Sequence, residues 1–152
     1  MNHPKPPEPM SLAFAEAESA GQRGEVPIGC VIVDQSGNVM AKAGNRTIEL
    51  KDSTAHAELL AIRKAAARLG SERLAGCDLY VTLEPCAMCA AAISFARIRR
   101  LYFAAGDAKM GAVEHGSRFF TQPACHHSPE VYGGLSEARG QKILKDFFRD
   151  RR

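Results

Sequence analysis

Between Asp52 and Ala105 the chain alternates helix and strand with little between them, and no other pattern in it constrains the fold as much. Asp52-Ser53-Thr54 offers capping side chains ahead of Ala55–Leu69, an Ala/Leu/Arg-rich stretch that stops at Gly70, so a helix is expected there. Leu79-Tyr80-Val81-Thr82-Leu83 reads as a strand bounded by Gly76 and Pro85. Pro85 suits the first turn of a helix, which the Ala-rich stretch Cys86–Ala96 continues, and Leu101–Ala105 is the next strand. Strands joined by helical crossovers pair in parallel and carry helices on their faces.

The flanks complete the domain. Ser11–Gln22 has helical spacing and stops near Gly21–Gly24, and Met1–Met10 reads as a flexible, Pro-rich lead-in. Ile28–Val33 and Val39–Ala43 flank the turn residues Asp34-Gln35-Ser36-Gly37-Asn38, which predicts a hairpin. Residues 106–134 are loop-rich, with a short helix or a last strand expected near Val131–Tyr132. Ser136–Arg151 closes as an amphipathic helix carrying Ile143, Leu144, Phe147 and Phe148. The pattern predicts an α/β fold, a three-layer α/β/α domain over residues 11–152 with a mixed sheet of about five strands. A chain of 152 residues suits one such domain. It holds no run of about 18 apolar residues and no apolar h-region at its start, so a membrane span and secretion are not expected.

Five cysteines without an export signal point away from disulfides and towards metal or redox chemistry. Two motifs then stand at the starts of two consecutive expected helices, His56-Ala57-Glu58 and Pro85-Cys86-Ala87-Met88-Cys89. A His-x-Glu arises by chance in about one chain in three of this composition, a Pro-Cys-x-x-Cys in about one in a hundred. Helix N-termini favour thiolates, which bind cations. One His and two Cys leave a tetrahedral zinc position open, as a catalytic site requires. Two thiolates cancel the charge of the ion, so the bound water needs a neighbouring proton acceptor, and Glu58 is the candidate.

Other readings compete. Cys86 and Cys89 also have the spacing of a redox pair. Cys125-His126-His127 offers a fourth ligand, which would make the zinc structural. Cys30 and Cys77 read as small buried residues, His3 and His115 as surface residues without partners.

Charge is unevenly placed. Residues 1–96 hold 9 Lys/Arg against 11 Asp/Glu, a sum of −2, whereas residues 97–152 hold 11 against 6, a sum of +5. That distribution permits an anionic partner without requiring one.

On these residues the chain resembles the zinc-dependent cytidine deaminase-like superfamily, whose signature joins a helix-start His-x-Glu to a Pro-Cys-x-x-Cys. From about Leu12 to Arg152 it resembles more closely the bacterial tRNA-specific adenosine deaminases of the TadA type. The matching stretches are Glu25-Val26-Pro27-Ile28-Gly29, Gly44-Asn45-Arg46, Thr54-Ala55-His56-Ala57-Glu58 and Leu83-Glu84-Pro85-Cys86-Ala87-Met88-Cys89. Asp107-Ala108-Lys109, Gly111-Ala112-Val113 and Phe147-Phe148-Arg149-Asp150-Arg151-Arg152 also match. Cys30, Gly106 and Met110 depart from the family pattern without touching the zinc set.

The resemblance implies one Zn²⁺ per subunit on His56, Cys86 and Cys89, with Glu58 shuttling protons. An activated water would attack C6 of the wobble adenosine in a tRNA anticodon stem-loop, releasing ammonia and leaving inosine. Asn45 would hydrogen-bond the flipped base, Asp107 and Lys109 would contact neighbouring nucleotides, and Phe147, Arg149 and Arg151 would meet the flanking RNA, with Phe148 in the core. A homodimer in the cytoplasm is implied as well. Two other functions remain open, a deaminase of a free base, nucleoside or nucleotide and a non-catalytic zinc-bearing RNA-binding module. The basic last segment favours RNA over a small substrate, and Glu58 favours an enzyme over a structural site.

Overall fold

The computed structural model describes residues 8–151. It contains helix α1 (Glu8–Gln22), strands β1 (Gly29–Val33) and β2 (Val39–Gly44), helix α2 (Ala57–Leu69), strand β3 (Asp78–Leu83), helix α3 (Ala87–Phe95), strands β4 (Arg100–Ala105) and β5 (Glu130–Tyr132), and helix α4 (Glu137–Arg149). The five strands form one mixed sheet in the order β2-β1-β3-β4-β5. β1 is antiparallel to both of its neighbours, while β3, β4 and β5 run parallel, in registers such as Leu79 opposite Leu101 and Leu101 opposite Val131. Alternating strand and helix therefore produces the expected three-layer mixed α/β fold.

β1 is buried along its whole length, and its alternation divides the core between the two faces. Cys30 and Ile32 join Leu79, Val81, Leu101 and Phe103 under α2 and α3, where Ala57, Ala61 and Ala65 recur every four residues and bring α2 close to the sheet. Val31 and Val33 face the other way, with Tyr80 and Ala104, onto Met10, Ala13 and Phe14 of α1. α4 lies on that second face too. A side chain at Gly140 would stand 2.8 Å from Ala105 Cβ and 3.0 Å from Thr82 O, so only glycine lets α4 cross the sheet so closely.

Several local expectations need correction. The first helix begins at Glu8, not Ser11, so residues 8–10 of the expected lead-in are helical and Met10 is fully buried; residues 1–7 and His3 among them lie outside the described residues. The second helix begins at Ala57 rather than Ala55, with His56 at its N-cap. Asp52 instead accepts hydrogen bonds from the Thr54 N–H and hydroxyl, making a local turn in place of a helix cap. The segment near Val131–Tyr132 is a strand, and a single 3₁₀ turn at Phe119–Thr121 is the other regular piece of the long loop.

Candidate metal centre

Two helix starts converge at one end of the sheet. His56 and Cys86 occupy the N-cap positions of α2 and α3, both in extended backbone and both without a side-chain capping bond, because their side chains turn towards each other. Cys89 follows one turn into α3 and is fully buried. His56 Nδ1 lies 3.6 Å from Cys86 Sγ and 3.5 Å from Cys89 Sγ. A tetrahedral Zn²⁺ with its usual Zn–S and Zn–N bonds places sulfur and nitrogen ligands about 3.6 Å apart. The three donors fit zinc, and they are the one such group among the described residues.

The electrostatics agree. The Cys89 thiol donates to Cys86, which pulls Cys86 down to about 4 with help from His56. The same bond, with burial, pushes Cys89 up, and the bond to Cys86 holds His56 above the ordinary imidazole value. A cation between the sulfurs is what lets both ionise together.

Glu58, on the first turn of α2, is 4% exposed and lines the cleft beside these donors. Burial pushes its carboxyl up to about 7. Asn45 Oδ1 accepts the Ala57 N–H at 2.8 Å and so caps α2 from a distance. This bond also fixes the amide of Asn45 in the wall of the cleft.

The cleft is open to solvent and holds about 1050 Å³. Its floor carries His56, Glu58 and Cys86, one wall carries Gly106–Met110, and its far side carries Gln141, Leu144 and Phe148 of α4. The geometry thus gathers His56, Cys86, Cys89, Glu58, Asn45, Asp107 and Lys109. Asp107 is partly committed to its own loop, since Oδ1 accepts the N–H groups of Lys109 and Met110.

A family model for the cytidine and deoxycytidylate deaminase zinc-binding region matches residues 5–105. A tRNA-specific adenosine deaminase of Agrobacterium fabrum is 64% identical over 143 residues, covering 94% of this chain and 93% of that protein. The chain belongs to the zinc-dependent deaminases of this family. Within it, the tRNA-specific adenosine deaminases are its near relatives: one from Rickettsia bellii is 44% identical over 92% of this chain and 97% of its own length. A solved structure from studies of A-to-I editing by deaminases at the wobble position of transfer RNA superposes with a TM-score of 0.88 at 64% identity, covering 90% of this chain and 99% of the other. The guanine deaminase of Nitrosomonas europaea shares the fold, with a TM-score of 0.81 at 22% identity over 97% of this chain and 86% of its own.

The end of α4 departs from expectation. Phe148, expected in the core, is 51% exposed and faces the deaminase cleft. Phe147 faces the opposite groove beside α1, where the Arg151 guanidinium lies 3.9 Å over its ring. Successive helical residues point about 100° apart, so the two rings meet edge to face, centroids 5.3 Å apart, while their outer sides border different grooves. Arg149 lies on the cleft side of α4 and pairs with Asp146 and Asp150 at 3.3 Å.

Three further corrections concern residues outside the zinc set. His115 has a partner: its Nδ1 lies 2.7 Å from Glu84 Oε1. Glu84 and Glu25 are buried carboxylates that sequence reasoning left without a role. Glu25 accepts the N–H groups of Ile48 and Glu49, holding the loop beyond Asn45. Burial alone would raise Glu84, but the N–H of Asp107, the His115 ring and the N–H groups of Glu114 and Val113 hold it below the usual carboxylate value. Cys125 and His127 supply no fourth ligand. Cys125 donates to His127 O, and the His127 ring bonds Ile98 O, at the far end of α3 from Cys86.

Proposed function

We propose that this chain hydrolytically deaminates the wobble adenosine of a tRNA anticodon stem-loop to inosine. One observation carries the reading: a buried carboxyl, Glu58, beside a His-Cys-Cys donor set at the floor of a broad open cleft. One Zn²⁺ per chain on His56, Cys86 and Cys89 supplies, when bound, a water made nucleophilic at neutral pH. Glu58, beside that position, would hold a proton on its carboxylate and return it to the departing amine, a double duty suited to a carboxyl that burial pushes up to about 7.

The remaining residues hold the substrate. Asn45, its Oδ1 occupied by Ala57, turns its amide N–H₂ to the flipped base. Asp107 and Lys109 meet nucleotides beside it, and Phe148 with Arg149 borders the RNA from α4. Phe147 and Arg151, a turn apart on the α1 side, reach RNA beyond the rim. Residues 11–152 act as one domain, and two copies in a homodimer in the cytoplasm would share a substrate larger than either. None of the described helices is long and apolar enough to cross a membrane.

The test is incubation of zinc-loaded protein with an anticodon stem-loop bearing a wobble adenosine, followed by analysis for inosine. Free adenosine, cytidine and guanine serve as controls. Inosine in the RNA alone is the expected result. Turnover of a free base with none in the RNA would overturn the reading.

A further inference from the structure

Outside the metal centre, one buried carboxylate gathers more hydrogen bonds than any other side chain among the described residues. The Glu84 side chain is 0% exposed. Its Oε1 accepts the Asp107 N–H at 2.9 Å and meets His115 Nδ1 at 2.7 Å. Its Oε2 accepts the N–H groups of Val113, Glu114 and His115 at 3.0, 2.8 and 3.1 Å. Four backbone donors and an imidazole from one loop therefore end on a single side chain. Only glycine at position 111 leaves room, since a Cβ there would stand 2.5 Å from Glu84 Cδ. The loop is also stitched to the metal-bearing turn: Gly111 bridges Cys86, and the Ala112 N–H donates to Pro85 O at 2.9 Å.

We propose that Glu84 is a positioning residue for deamination, setting the 107–115 wall of the cleft against the turn that presents Cys86. The inference rests on the function proposed above. The loop shapes its own tip through Asp107, so Glu84 is not needed for its local turn. What Glu84 sets is where that turn stands relative to His56 and Glu58. Burying a carboxylate without a permanent cation is costly, and a polymeric substrate gripped by side chains of this loop is a reason to keep it.

Glu84→Gln tests this in the zinc-loaded full chain with the anticodon stem-loop RNA. Whichever way its amide turns, an N–H₂ faces at least one backbone N–H. Zinc content should stay at the wild-type level, and hydrogen exchange at Asp107, Val113, Glu114 and His115 should rise about tenfold or more while β3 and α2 are unchanged. The kcat/KM should fall by about ten- to a hundredfold, carried mainly by KM. Wild-type kcat/KM, or loss of zinc from the variant, would overturn the proposal. If Glu84→Gln does not fold, His115→Ala decides: a KM raised about threefold with normal zinc supports it, and an unchanged KM overturns it. A wild type that makes no inosine from this RNA defeats the functional reading, and the kinetic half of the inference with it. Unchanged exchange at the four amides defeats the anchoring on its own.

Discussion

The donor-bearing floor and the rim of the cleft are built by different means. His56, Cys86 and Cys89 arrive on the first turns of helices packed over a buried sheet, so their positions follow from the fold. Asp107 and Lys109 arrive on a loop and Arg149 on the exposed end of α4, while Arg151 lies beyond that helix on the α1 side. The basic excess of residues 97–152 is also less available than its sum suggests. Arg99 pairs with Asp78, Arg100 with Glu130, Arg139 with Glu18, Lys142 with Asp146, and Arg149 with Asp146 and Asp150. Counted charge on a surface helix is therefore a weaker guide than a donor spacing at a helix start.

The comparison breaks most sharply at the ligands. Cys86→Ser or His56→Ala should leave two donors, empty the site and lower deamination by about 10⁴-fold or more. Zinc per chain by atomic emission checks it, and full metal content in either variant would remove that residue from the set. Glu58→Ala should keep zinc while kcat falls by about 10²- to 10⁴-fold, because only proton transfer is lost. Turnover near wild type in that variant would end the assignment of Glu58 as the shuttle.

The same contrast explains what could be read in advance. The helix starts carrying His56 and Cys86 were legible because Pro85, Gly70 and the apolar strand Leu79–Leu83 are local signals, and a sheet forces neighbouring crossovers to one end. The cap of α2 was not, since it comes from Asn45, twelve residues earlier and across a strand end. Asp52 had the capping chemistry but His56 holds the position, its ring drawn to the sulfurs. Glu84 stands in the Leu83–Cys89 motif with no role visible in the sequence, because its partners lie some twenty to thirty residues downstream in a loop that has no periodicity to read. Phe148 exchanges its expected place in the core for the cleft for a similar reason: an amphipathic pattern says that α4 has an apolar face, not which neighbour each edge of that face meets.

That exchange yields a prediction of moderate size. Phe148→Ala should weaken binding of the anticodon stem-loop by about tenfold, as expected for one lost base–aromatic contact. Phe147→Ala should alter RNA affinity less and lower Tm more, because its ring packs with Arg151 against α1. Fluorescence anisotropy and thermal melts on both variants separate the two roles. A larger affinity loss for Phe147→Ala would make the groove beside α1 the main path of the RNA.

The smallest effect concerns the cations of α4. Arg149 lies on the cleft side and is exposed, so its pairs with Asp146 and Asp150 are cheap to exchange for a phosphate. Arg151 is held by the Phe147 ring and by Gly21 O, 3.5 Å from its guanidinium. Arg149→Ala should reduce the slope of log K against log salt by about 0.7, and Arg151→Ala should reduce it by less, since its guanidinium must first leave Phe147 and Gly21 O. Equal reductions would mean that Arg151 leaves Phe147 when RNA binds, and the basic end of the chain would then act as one surface on both sides of α4.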